Sequence, residues 1–173
     1  MYDVLGSIYF HDSDEDVSYE RAFDCYNRCL VIRLKRLGKK NAQTAIAYTH
    51  RAGSTFSLND FRHCISDANK ALSIFRKLES DNNDAMAFCY EYLGGAYRRL
   101  GGNKRSDECF KISDSIRCDV YPEGDERRDI NTMMKCIIDH TAAVSKNGPN
   151  EHKKFPKSVI DKINSYFRNK LIY

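Results

Sequence analysis

A chain of 173 residues is long enough for one domain or one compact repeat array. With 42% hydrophobic and 30% charged residues it can bury a core and is not compositionally disordered. The formal net charge of +4 is spread along the chain, unlike the clustered basic face of a nucleic-acid binder, and no window approaches ~18 consecutive apolar residues, so neither nucleic acid nor membrane is an expected partner.

The elements follow in chain order. Residues 2–11 read as a helix carrying Tyr2-x2-Leu5-Gly6-x2-Tyr9, and an acidic turn, His11 to Asp16, follows. A helix over 18–38 starts at Ser18 as N-cap and stops at Leu37-Gly38, a C-cap signal. The next helix, 42–57, has the stripe Ala45, Tyr48, Ala52 and Phe56. Asn59-Asp60 punctuates the chain before a helix over 60–79, and Ser80 to Asp84 follows it. A helix over 84–100 repeats the opening pattern as Tyr90-x2-Leu93-Gly94-x2-Tyr97, and Gly101-Gly102-Asn103 turns into a helix over 103–118. Two more helices are expected near 126–146, with Ile130, Met133, Met134, Ile137 and Ile138 on one face, and 156–171, with Val159, Ile160, Ile163, Tyr166, Phe167 and Leu171.

The second helix of each pair recurs in register. Ala22, Cys64 and Ser106 are spaced by 42 residues, as are Tyr26, Ala68 and Phe110, then Cys29, Ala71 and Ser113, then Ile32, Ile74 and Ile116. Positions 22, 26, 29, 30 and 33 lie three or four apart and share one helical face. Small residues there let two helices approach closely, and Gly94 leaves room for a partner backbone.

The pattern aromatic-x2-Leu-Gly-x2-Tyr followed by small-x3-aromatic, at residues 90, 93, 94, 97, 106, 110 and 113, resembles the tetratricopeptide repeat. The 42-residue unit, with Leu37-Gly38 running into Ala42-x2-Thr44-Ala45, is similar to the longer units of kinesin light chains. The resemblance implies an all-α fold, an α-α superhelix: a right-handed solenoid of antiparallel helical hairpins with about eight helices. Residues 1–118 then hold three hairpins, in units of about 1–41, 42–83 and 84–125, and 126–173 form a degenerate fourth hairpin that caps the array. The opposite end starts abruptly at Met1 and looks uncapped. Two readings fit that start: a fragment of a longer chain, or self-association through this end.

The resemblance also implies function: a non-catalytic scaffold or adaptor that binds a peptide segment in a concave groove lined by the leading helices. Helical spacing puts Asp3, Ser7 and Phe10, then Thr49, Gly53 and Phe56, then Glu91, Gly95, Arg98 and Arg99 on that side, with Met133, Ile137 and His140 further on. Phe10 and Phe56 suit either groove or core. Arg98 and Arg99 suit a protein or peptide partner with acidic residues. The alternatives are a structural or regulatory assembly subunit, or the repeat region of a larger signalling or catalytic protein.

Dedicated chemistry finds little support in the spacing. Seven cysteines form an odd set without close CxxC pairs, and the first ten residues lack the basic start of a secretory signal, which together suit a reducing, cytoplasmic setting. Cys25 and Cys29 are four apart on one helix, but Cys29 takes the place held by Ala71 and Ser113 and Cys64 falls at a packing position, which suits a core better than a set of about four converging metal ligands. His63 and Cys64 are adjacent on a helix and point about 100° apart, so they do not face each other as base and nucleophile. The acidic turn after His11 lacks the glycine and terminal glutamate of a calcium loop. No catalytic residue, metal or cofactor is expected.

Overall fold

The connections between helices are set by caps and left-handed residues. In the computed structural model, which describes residues 2–11, 16–79, 81, 83–125 and 127–128, the helices are α1 (Tyr2–His11), α2 (Asp16–Leu37), α3 (Ala42–Ser57), α4 (Phe61–Lys77), α5 (Asn83–Arg99) and α6 (Asn103–Val120). Among the described residues there is no strand. Gly38 ends α2 with φ +78, and Asn59 (φ 60) and Gly101 (φ +83) turn the chain after α3 and α5. The Asn41 side chain caps α3 by accepting from the Gln43 N–H at 2.9 Å. Asp60 does the same for α4, accepting from the His63 N–H at 3.2 Å.

These boundaries match the sequence expectation to within about two residues. The largest differences lie in the second, fourth and sixth helices, the last of which runs on to Val120. α2 begins at Asp16 instead of Ser18. α4 stops at Lys77 because Glu79 takes φ 47, which no helix continues through. Six helices are described where about eight are expected. The two remaining ones, 126–146 and 156–171, lie outside the described residues, apart from Arg127 and Arg128.

Consecutive helices pack on one another, and the contacts give their direction. On α5 and α6, Arg98 meets Ser106, Gly94 faces Phe110, and Glu91 meets Ser113. One number falls as the other rises, so the pair is antiparallel. The same holds for α3 and α4, through Phe56 on Phe61 and Arg51 on Asp67, and for α2 and α3, through Asn27 with Arg51 and Arg33 with Gln43. The helices α3 and α5 also pack on each other, and they run parallel, with Thr49 against Cys89 and Gly53 against Tyr92.

Three of the four sets spaced by 42 make the core, while in the fourth Ile32 is exposed and Ile74 and Ile116 are half-buried. Ala22, Cys64, Ser106, Tyr26, Ala68, Phe110, Cys29, Ala71 and Ser113 are all buried. Size is balanced at each crossing. A Cβ added to Gly6 would sit 2.6 Å from the Tyr26 ring, and one added to Gly94 would sit 3.0 Å from Phe110. The middle pair instead has Ala52 and Ala68, both in one buried cluster. An aromatic ring therefore stands opposite glycine in the outer pairs, and two alanines share the load in the middle one. Leu30, Leu72, Phe75 and Phe110 are buried as well, each contributing about 1.5–3 kcal/mol relative to exposure.

A polar clamp ties the first helical pair to the second. The Arg51 guanidinium donates to both Asp67 carboxylate oxygens, at 2.8 and 2.9 Å, and to the Asn27 carbonyl oxygen at 2.6 Å. The Asp67 side chain is almost wholly buried. A two-pronged, fixed geometry of this kind sets orientation as well as energy.

Candidate functional site

The structure corrects the placement of four groove candidates. Thr49, Gly53, Glu91 and Gly95 are buried. Thr49 and Gly53 are covered by α5, where Cys89 and Tyr92 lie against them, and Glu91 is covered by α6, where Ser113 and Arg117 meet it. The Thr49 hydroxyl donates to the Ala45 carbonyl at 3.2 Å and lies 3.2 Å from the Cys89 sulfur. Gly53 makes room for Tyr92, whose hydroxyl oxygen lies 2.7 Å from where a Cβ would stand.

The remaining candidates are scattered. Ser7 shares a hydrogen bond of 3.3 Å with the Tyr26 hydroxyl. Arg98 is drawn into its own hairpin, donating to Asp107 at 2.8 Å and to the Ser106 hydroxyl at 3.2 Å. Arg99 lies over the Phe61 ring at 5.4 Å and reaches the Asn59 carbonyl oxygen at 3.4 Å. The side chains of Asp3 and Phe10, with Met133, Ile137 and His140, lie outside the described residues.

Phe56 remains, and the fold builds a row around it. Its ring meets Phe61 edge-on at 5.7 Å and Tyr92 at 6.1 Å, and Tyr92 stacks on Phe88 at 6.3 Å. All four rings are half-buried. They come from α3, α4 and α5 and follow the α3–α5 seam. Phe88 and Tyr92 are four apart on one helix face, a spacing visible in the sequence. Their meeting with Phe56 depends on Gly53, which is a tertiary fact. Such rings offer faces and edges to apolar or aromatic side chains.

Behind the row lies a buried ion pair. Glu91 and Arg117 are each 1% exposed, and Arg117 Nε donates to Glu91 Oε1 at 2.7 Å. The Ser113 hydroxyl donates to the same oxygen at 2.9 Å. Arg117 also approaches Asp84 at 3.4 Å and covers the Phe88 ring at 4.9 Å. Its Nη2 also lies 2.7 Å from Glu91 Oε1, so two guanidinium nitrogens face one carboxylate oxygen. Burial pushes the Glu91 carboxyl up, while Arg117 and Ser113 pull it partly back. In the repeat register, positions 91, 113 and 117 correspond to 49, 71 and 75, which hold Thr, Ala and Phe.

His63 is exposed and bound to Asp60, Nδ1 to Oδ2 at 2.6 Å, while the neighbouring Cys64 is buried. Burial pushes the Cys64 thiol far above its ordinary range and that of Cys89 up to about 12, so neither supplies a thiolate near neutrality. Among the described residues, no three His, Cys, Asp or Glu side chains converge as a metal ion would need. None of their helices is long and apolar enough to cross a membrane.

No protein-family model, curated protein or solved structure matches the chain.

Proposed function

We propose that this chain is a non-catalytic protein-interaction module, a short array of tetratricopeptide-like hairpins in the manner of kinesin light chains. It holds a peptide segment against the α3–α5 seam. The observation that carries the reading is the half-buried aromatic row Phe61, Phe56, Tyr92 and Phe88, placed where two leading helices run parallel. Half-buried rings in a fixed row suit an apolar partner side chain better than the acidic one expected from Arg98 and Arg99, which are engaged within the chain. The free thiols among the described residues, three of them buried, suit a reducing, cytoplasm-like setting.

A photo-crosslinking residue at Phe88, compared with one at the exposed Ile112 of α6, tests the seam. A partner peptide crosslinked from position 88 and not from 112, which then binds the purified chain, supports the reading. Equal yield from both positions sinks it. A second reading, an assembly subunit, is favoured by the exposed Val4 on α1 and by Val31 and Ile32 on α2. Light scattering that finds a strict monomer at high concentration counts against it.

A further inference from the structure

The turn between α5 and α6 forms an open hollow of about 570 Å³, lined by Tyr97, Leu100, Gly101, Gly102, Lys104 and Arg105 among others. Lys104 and Arg105 stand at its rim, and Leu100, 53% exposed, lines it together with Tyr97. Gly101 has nothing within 4 Å of where its Cβ would be, so no side chain fills the space there. The Arg105 guanidinium is held over the Tyr97 ring, 5.8 Å from its centre, which keeps that cation at the edge of the hollow.

Charge decides what fits. Among the described residues, neither Lys104 nor Arg105 pairs with a carboxylate. Asp107, the nearest acid along α6, is taken by Arg98 at 2.8 Å. Glu108 lies one turn on and does not line the hollow. An uncompensated pair of cations beside an exposed aliphatic seat matches one kind of partner chemistry. We propose that this hollow is a docking surface for an acidic protein segment that presents an apolar side chain between carboxylates. A nucleic acid fits less well. Two rim cations neutralise too few phosphates, and leucine gives no stacking platform. The hollow is separate from the aromatic seam and does not depend on that site's being occupied.

The test uses the purified full chain and an array of short synthetic peptides. In each, one leucine or phenylalanine is flanked by aspartates at varied spacing. Control peptides carry lysine for aspartate or alanine for the apolar residue, and a single-stranded oligothymidylate is the nucleic-acid control. Binding is read by fluorescence polarisation. The expected result is that some aspartate-flanked peptides bind and that added salt weakens them. Lys104→Glu with Arg105→Glu weakens them about tenfold or more, Lys104→Gln with Arg105→Gln by less, and Leu100→Ser severalfold. All three variants change exposed side chains, and unchanged circular dichroism confirms that they fold. No bound peptide, binding indifferent to the variants, equal binding of the lysine peptides, or tighter binding of the oligothymidylate would each overturn the proposal.

Discussion

Arg117→Phe should be strongly destabilising, and the repeat register supplies its cure. The substitution removes the cation that faces Glu91 at 2.7 Å in a site where both side chains are 1% exposed. A buried carboxylate left without its partner costs about 3–5 kcal/mol. At a urea slope of about 2 kcal/mol/M, a loss of 4 kcal/mol lowers the unfolding midpoint by about 2 M. The loss also depends on pH. Burial already raises the Glu91 carboxyl above its ordinary value, and removing Arg117 takes away the largest influence that lowers it. A raised folded-state value means that the carboxyl is tolerated when protonated and penalised as pH climbs through that value. The difference from the wild type should therefore be full at pH 8 and shrink as the pH falls toward 4. Transplanting the middle-pair residues, Glu91→Thr with Ser113→Ala and Arg117→Phe, reproduces Thr49, Ala71 and Phe75, all buried. It should recover most of the loss and abolish the pH dependence. Urea titrations at pH 4 and pH 8, followed by far-ultraviolet circular dichroism, decide the matter. A single-variant loss below about 1 kcal/mol at pH 8, or a triple variant no more stable than the single one, refutes the reasoning.

The glycine opposite Phe110 offers a second test. Gly94→Ala puts a methyl 3.0 Å from an enclosed ring, costing about 1–3 kcal/mol. In a Phe110→Ala background the same change fills space and should stabilise, because it rebuilds the Ala52 and Ala68 pairing; the same sign in both backgrounds counts against the size balance. Thiol labelling gives a third. At pH 8 the exposed Cys118 should alkylate quickly, while Cys64 and Cys89 react only as the chain unfolds, as read by peptide mass spectrometry with and without urea. Reversing Arg98 to Glu should lower the melting temperature, since it sets a carboxylate against Asp107; an unchanged temperature would mean that the pair contributes nothing.

Sequence by itself determined the helices and their pairing. Periodicity of three and four, Gly38, Asn59 and Gly101 at the turns, and the 42-residue spacing placed six helices within about two residues. Local chemistry acts there, because a cap or a left-handed turn needs only its near neighbours. The core was legible for the same reason, since Ala22, Cys64 and Ser106 and their companions recur on one face. The candidate site was far less legible. Spacing tells which side of a helix a residue occupies, not what comes to lie against that side. Tertiary packing of α3 on α5 buried Thr49 and Gly53 and left Phe56 in a row with Tyr92 and Phe88. Packing of α6 on α5 drew Arg98 into its own hairpin and buried Glu91 against Arg117. These meetings join residues on different helices. They are settled by which volumes and charges fit together once the helices dock, and no single segment carries that information.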